Sequence, residues 1–156
     1  MTMEQMQASY APFIASLRDG KCDAPDEGWS AALIAAHIVA NNDAIAEVAE
    51  RIAAWESPGY DNEAAVDGAT LKLLADEVGG LAGLADAVER SATRLAVAQE
   101  NLTDETSQIE VDVTIHSDGA IVVDRRVPIG ELIDGNATFH LESHFESLSA
   151  LKKTAE

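Results

Sequence analysis

The chain has 156 residues, 47% of them hydrophobic and only 4% aromatic, and its 28 acidic against 10 basic residues leave a net charge of −18. A surface of that sign repels phosphate backbones and anionic lipid, so nucleic-acid binding and membrane-surface roles are not expected. The length suits one domain over residues 1–156, and an apolar content dominated by Ala, Leu, Ile and Val favours helix.

No stretch reaches the ~18 apolar residues of a bilayer span, and the opening MTMEQMQASY is too polar for a signal peptide. The expected location is cytoplasmic. Cys22 is the one cysteine, which excludes an internal disulfide and a cysteine-rich zinc knuckle. It lies in the loop GKCDAPDEG beside Lys21 and reads as a loop thiol; the alternatives are a fourth metal ligand or a nucleophile.

In chain order, residues 3–18 place Met6, Tyr10, Phe13, Ile14 and Leu17 at helical spacing, with Pro12 marking a kink or a late start. After a loop to Gly28, Ser30 caps a second helix that runs to about Trp55, with Trp29 positioned to staple onto Ile34. Ser57-Pro58-Gly59 stops it. Asp67-Gly68 and Gly79-Gly80 then bracket a short helix around Ala69–Val78. The stripe Leu81, Leu84, Val88, Leu95, Leu102 defines a third long helix.

The period changes next. Ile109, Val111, Val113 and Ile115 alternate with Glu110, Asp112, Thr114 and His116, the pattern of a half-buried strand. Ser117-Asp118-Gly119 turns the chain into AIVVDRRV, giving a β-hairpin over about 109–127. His116 falls in the outward phase and reads as a solvated strand histidine. A two-stranded ribbon is marginal alone, so the hairpin is expected to cover a pocket mouth or to contribute to a dimer contact. Pro128 opens the last helix, Gly135 and Asn136 mark a bend, and Lys152 and Lys153 complement its negative end.

The chemistry lies in the remaining histidines. His37 shares a stripe of the second helix with Leu33, Ile34, Asn41, Ile45 and Val48, and His140 and His144 are four residues apart on the last helix. Residues i and i+4 have Cβ atoms about 5–6 Å apart on one face, so two imidazoles can reach one ion at the ~2.0–2.1 Å of a zinc–nitrogen bond. With the two helices packed about 8–10 Å apart, His37 completes a triad. Three protein ligands leave a coordination position for water or substrate. HLESH is not a zinc-protease motif: Glu142 is not next to the first histidine and points away from the ligand face. No carboxylate stands on either histidine stripe, and Tyr10, Asn41 and Gln99 are the polar candidates for the cavity.

On these residues the chain resembles a known group. GWSAALIAAHIVANNDAI is similar to the second helix of the DinB/YfiT-like superfamily, which includes the N-terminal domain of mycothiol-dependent maleylpyruvate isomerases, and ELIDGNATFHLESHFESLSAL is similar to its last helix. The resemblance covers most of the chain and is weakest over 57–80 and 109–127. It implies an up-down-down-up four-helix bundle; with the β-hairpin read above placed between helices three and four, the expected fold is all-α with a small insertion. It also implies His37, His140 and His144 as ligands of a divalent metal (zinc first, nickel or iron otherwise), and a homodimer. Two departures count against maleylpyruvate isomerase itself: that enzyme has a carboxylate at the position of His140, and its substrate-binding arginine lies in a C-terminal domain beyond the region matched here.

Two classes of function follow as expectations. In one, a metal-dependent enzyme uses a low-molecular-weight thiol, activated as thiolate, for S-transfer or thiol-assisted isomerisation of a small-molecule substrate; a hydrolytic variant would activate water at the same position. In the other, the protein is a non-catalytic metal-binding or stress-associated bundle.

Overall fold

Thr2 opens the first helix with a reciprocal capping box: its hydroxyl accepts from the Gln5 amide while the Gln5 side chain accepts from the Thr2 amide. In the computed structural model, which describes residues 1–152, this helix (α1, Met3–Asp19) runs through Pro12 and ends where Gly20 takes a left-handed φ of 67°. It buries Met6, Tyr10, Phe13 and Leu17, the stripe read from the sequence.

Ser30 caps α2 (Ala31–Ala53), its hydroxyl accepting from the Leu33 amide at 3.3 Å. A two-residue strand, β1 (Tyr60–Asp61), and a single helical turn, α3 (Glu63–Val66), follow. Then come α4 (Gly68–Glu77), α5 (Leu81–Glu100) and the turn α6 (Asp104–Ser107). Gly83 is required at the start of α5, because a Cβ there would lie 1.6 Å from the Val78 carbonyl oxygen. The hairpin comprises β2 (Glu110–Ser117) and β3 (Ala120–Pro128). Asp118 and Gly119, at φ 50° and 79°, make the tight turn between them. The last arm is helical throughout but changes pitch: α7 (Ile129–Gly135), a π-helical segment (Asn136–His140) and α8 (Leu141–Ala150).

The chain is thus mostly helical with a small sheet. The core forms where α5 packs against both α1 and α2, through Phe13, Leu17, Ile38, Ile45, Ile52, Leu84, Val88 and Leu95. Each such side chain contributes about 1.5–3 kcal/mol on burial. Ile129, Ile133 and Leu148 carry the last arm onto the same core. Two ion-pair sets cross the helix junctions on the surface, Arg18 with Asp86 and Glu89, and Arg94 with Glu50 and Asp43.

The sheet has the order β1-β2-β3, with β1 parallel and β3 antiparallel to β2. The expected hairpin therefore has a third strand, and the stretch 57–80 supplies it. Val111, Val113 and Ile115 pair with Val127, Arg125 and Val123, so these six residues share one face. A bulge follows Ile115, and His116 pairs with Ile121 rather than Val122.

No helix among the described residues is long and apolar enough to cross a membrane. Lys152 reaches the Ser16 carbonyl (2.5 Å) and Asp19 (3.1 Å), so it serves the C-terminal end of α1 rather than its own helix. Lys153, expected to act with it, lies outside the described residues.

Candidate metal centre

His37 lies mid-way along α2 and is almost fully buried. Its Nδ1 is 2.6 Å from the Ala65 carbonyl oxygen on α3. A carbonyl can only accept, so Nδ1 carries the proton and Nε2 presents a lone pair. That lone pair points at His140 Nε2, 2.9 Å away, and His144 Nε2 lies 3.2 Å from the same atom. All three rings stand within 4.9 Å of one another by centroid. The three expected ligands thus meet through their Nε2 atoms, one from α2, one from the end of the π-helical segment and one from α8.

Three neutral imidazoles facing each other through nitrogen are poorly matched without a shared partner, because His140 Nε2 has one proton or one lone pair and faces both His37 Nε2 and His144 Nε2. Tetrahedral ligands at ~2.0–2.1 Å from zinc are about 3.3 Å apart, close to the separations found. The donor set could therefore hold a metal ion. Burial holds His37 below the usual histidine range, against a smaller opposite pull from the Ala65 bond. Burial, then the neighbouring rings, pushes His140 down to about 3, and burial with His37 pushes His144 down to about 4. The rings are neutral at pH 7, as ligands must be. His140 Nδ1 is buried with no hydrogen-bond partner among the described residues.

Trp29 covers the triad: its ring is 5.1 Å from that of His37 and is stacked 6.4 Å from His144 at 13°. Trp29, the residue before the helix cap, is thus a wall of the site.

Behind the triad lies a buried polar network that positions the last arm. Asn41 donates to Asn136 Oδ1 (2.5 Å), and Asn136 donates to Asn42 Oδ1 (2.9 Å) and to the Tyr10 hydroxyl (3.3 Å). Tyr10 donates to Asn42 Oδ1 (2.7 Å), Asn42 to Ser91 (3.1 Å), and the Tyr60 hydroxyl to Asn41 Oδ1. Four helical elements and β1 are joined through side chains that satisfy one another, which specifies a single arrangement of the core. Asn136 begins the π-helical segment that ends at His140, so the network sets where the His140 side chain starts as well as its direction.

A cavity of about 1000 Å³ opens from the triad towards the sheet. Asn41 lines it, as expected; Tyr10 and Gln99 do not. Tyr10 belongs to the network, and Gln99 turns outward to Asp134 at 3.3 Å. Sequence reading missed Tyr60, Arg125 and Glu131, all on the cavity wall. Arg125 had a signal, a charge in the apolar phase of β3; Tyr60 had none, because β1 is too short to show a period.

His116 differs from expectation. It is half-buried and lines the cavity instead of facing solvent, because the bulge rotates it out of the outward phase. The Asn62 side chain fastens its backbone, accepting from the His116 amide (2.6 Å) and donating to its carbonyl (3.2 Å). His116 Nε2 comes within 3.1 Å of Asp61 Oδ1 without the alignment of a hydrogen bond. Asp61, Glu63 and His116 form a second group with donor atoms within 4.8 Å of one another that could hold a metal ion, though both carboxylates are exposed. Cys22 belongs to neither group.

Comparison with protein-family models, with curated proteins and with solved structures found no match.

Proposed function

We propose that this chain is a metal-dependent enzyme of the DinB-like type, in which His37, His140 and His144 hold one divalent cation, zinc in the first instance. In this reading α1, α2, α5 and the arm from α7 to α8 make an up-down-down-up four-helix bundle, and the protein acts in the cytoplasm as a homodimer. Bound there, the cation supplies Lewis acidity that lowers the pKa of a low-molecular-weight thiol and presents it as thiolate to an electrophile. The outcome is S-transfer or thiol-assisted isomerisation of a small molecule.

The observation that carries the reading is the meeting of three Nε2 atoms with the His37 tautomer fixed by Ala65. Ala65 makes His37 a ligand and not a donor, in the way second partners orient metal-bound imidazoles. Trp29 excludes water from one side of the triad, and the cavity leaves the other side open to a ligand of modest size. Glu27, Asp118 and Glu131 are the carboxylates on the cavity wall, and one of them would take the proton from an incoming thiol.

The test is metal content by mass spectrometry on protein purified without a histidine tag, followed by thiol titration of the Co(II)-loaded form. One metal per chain, lost in His140→Ala with the helical circular dichroism retained, and a thiolate-to-cobalt absorption on adding thiol are the expected results. Protein that takes up no metal, or a His140→Ala variant that keeps it, overturns the reading. Metal with no thiol absorption returns the site to water activation or to a structural role.

A further inference from the structure

Arg125 interrupts an otherwise apolar surface. The ladder pairs it with Val113, between the pairs Val111–Val127 and Ile115–Val123, so it stands in the middle of the hairpin face that lines the cavity. Its neighbour Arg126 is on the opposite face and meets Glu110 (3.6 Å) and Asp112 (3.5 Å). Arg125 forms no ion pair among the described residues, although the chain has 28 acidic residues for 10 basic ones. Among those residues it is also the only lysine or arginine on the cavity wall, where the charged groups besides it are Glu27, Asp118 and Glu131. An exposed guanidinium kept unpaired in so acidic a chain, in the wall of a cavity that ends at three imidazoles, is placed for an anion that arrives with the ligand.

We propose that Arg125 anchors a carboxylate at the far end of the ligand whose other end reaches the histidine triad, so that the thiol used by this site is a thiol acid. This rests on the metal reading above. A carboxylate is favoured over a phosphate because the three acidic residues on the same wall repel a dianion more than a monoanion, and the planar fork of arginine matches a carboxylate in two hydrogen bonds. β3 is an edge strand, where an inward charge also discourages pairing with another chain. That role needs only a charge, whereas the anchor needs the positive fork.

The experiment titrates the Co(II)-loaded full chain with a homologous series from mercaptoacetate to mercaptohexanoate and with the methyl ester of each, following thiolate-to-cobalt absorption. At one or more lengths the acid should bind at least ~10-fold more tightly than its ester, the range of a charge-assisted hydrogen bond. Arg125→Gln should abolish that preference and leave ester binding unchanged, and Arg126→Gln should leave both as in the wild type. The proposal is overturned if no acid outbinds its ester, if Arg125→Gln weakens both alike, or if Arg126→Gln has the same effect. Failure of the metal reading is seen separately, as absence of cobalt d–d bands before any thiol is added. In that case the metal-free chain is titrated with hexanoate and hexanamide under NMR: a saturating shift of the Arg125 Nε–H with hexanoate alone retains the anchor, and no shift removes it.

Discussion

Replacing Asn136 by alanine probes the link between core and site. The Asn136 side chain is almost fully buried and makes three hydrogen bonds, accepting from Asn41 and donating to Asn42 and Tyr10. Asn42 Oδ1 keeps the Tyr10 hydroxyl as donor after truncation, but the Asn41 amide loses its acceptor in a buried setting. One orphaned buried donor costs about 1–3 kcal/mol, and each of the other two lost bonds adds about 0.5–1.5 kcal/mol. Because Asn42 and Tyr10 stay partly satisfied, a total of about 3 kcal/mol is expected. In a chain of this length that lowers Tm by about 10 °C. Asn136 also starts the segment that delivers His140, so metal affinity should fall along with stability. Urea denaturation of the metal-free protein gives the first quantity, and Co(II) titration well below the denaturation midpoint gives the second. A loss under about 1 kcal/mol, below the cost of even one orphaned donor, would refute the network argument. Full destabilisation with unchanged metal affinity would separate the network from the site.

The depressed histidines make the metal-free protein sensitive to acid. His140 and His144 resist protonation down to about 3 and about 4, whereas unfolded histidine titrates near pH ~6.5. The unfolded chain therefore binds more protons between these values, so stability is fully present above about pH 6.5 and falls as pH drops towards about 4. The urea midpoint of metal-free protein should fall between about pH 7.5 and about pH 5, and a His140→Ala/His144→Ala variant should show a flatter profile over that range; equal slopes would contradict the buried neutral pair. Gly83→Ala should destabilise by about 3 kcal/mol or more through the clash with the Val78 carbonyl, measured by the same denaturation; a neutral result would mean that the α4–α5 junction is not closed as described.

What could be read in advance followed the physics of periodicity. The buried stripe of α1 and the helical faces that carry His37, His140 and His144 come from a 3.6-residue repeat, the Ser30 cap comes from its residue type before an apolar run, and the observed convergence matches the faces. The tight turn at Asp118-Gly119 was legible because its dipeptide requires positive φ. The π-helical stretch was not, since one inserted residue leaves no mark in a pattern only five residues long; Gly135 and Asn136 pointed to the right place as a bend. His116 was misplaced because strand alternation assumes an unbroken ladder, and the bulge after Ile115 breaks it. β1 escaped notice because two residues have no period, and its Tyr60 entered the network unseen. Asn42 and Asn136 were missed as a pair because each satisfies the other across 94 positions, information that no local window holds.

X-ray absorption at the metal edge of the zinc-loaded chain tests the central claim most directly. Three imidazole nitrogens at about 2.0–2.1 Å and a single further light ligand, exchanged for sulfur at about 2.3 Å when a thiol is added, are expected. A shell of fewer than three imidazoles, or of carboxylate oxygens from the Asp61 and Glu63 group, would contradict it.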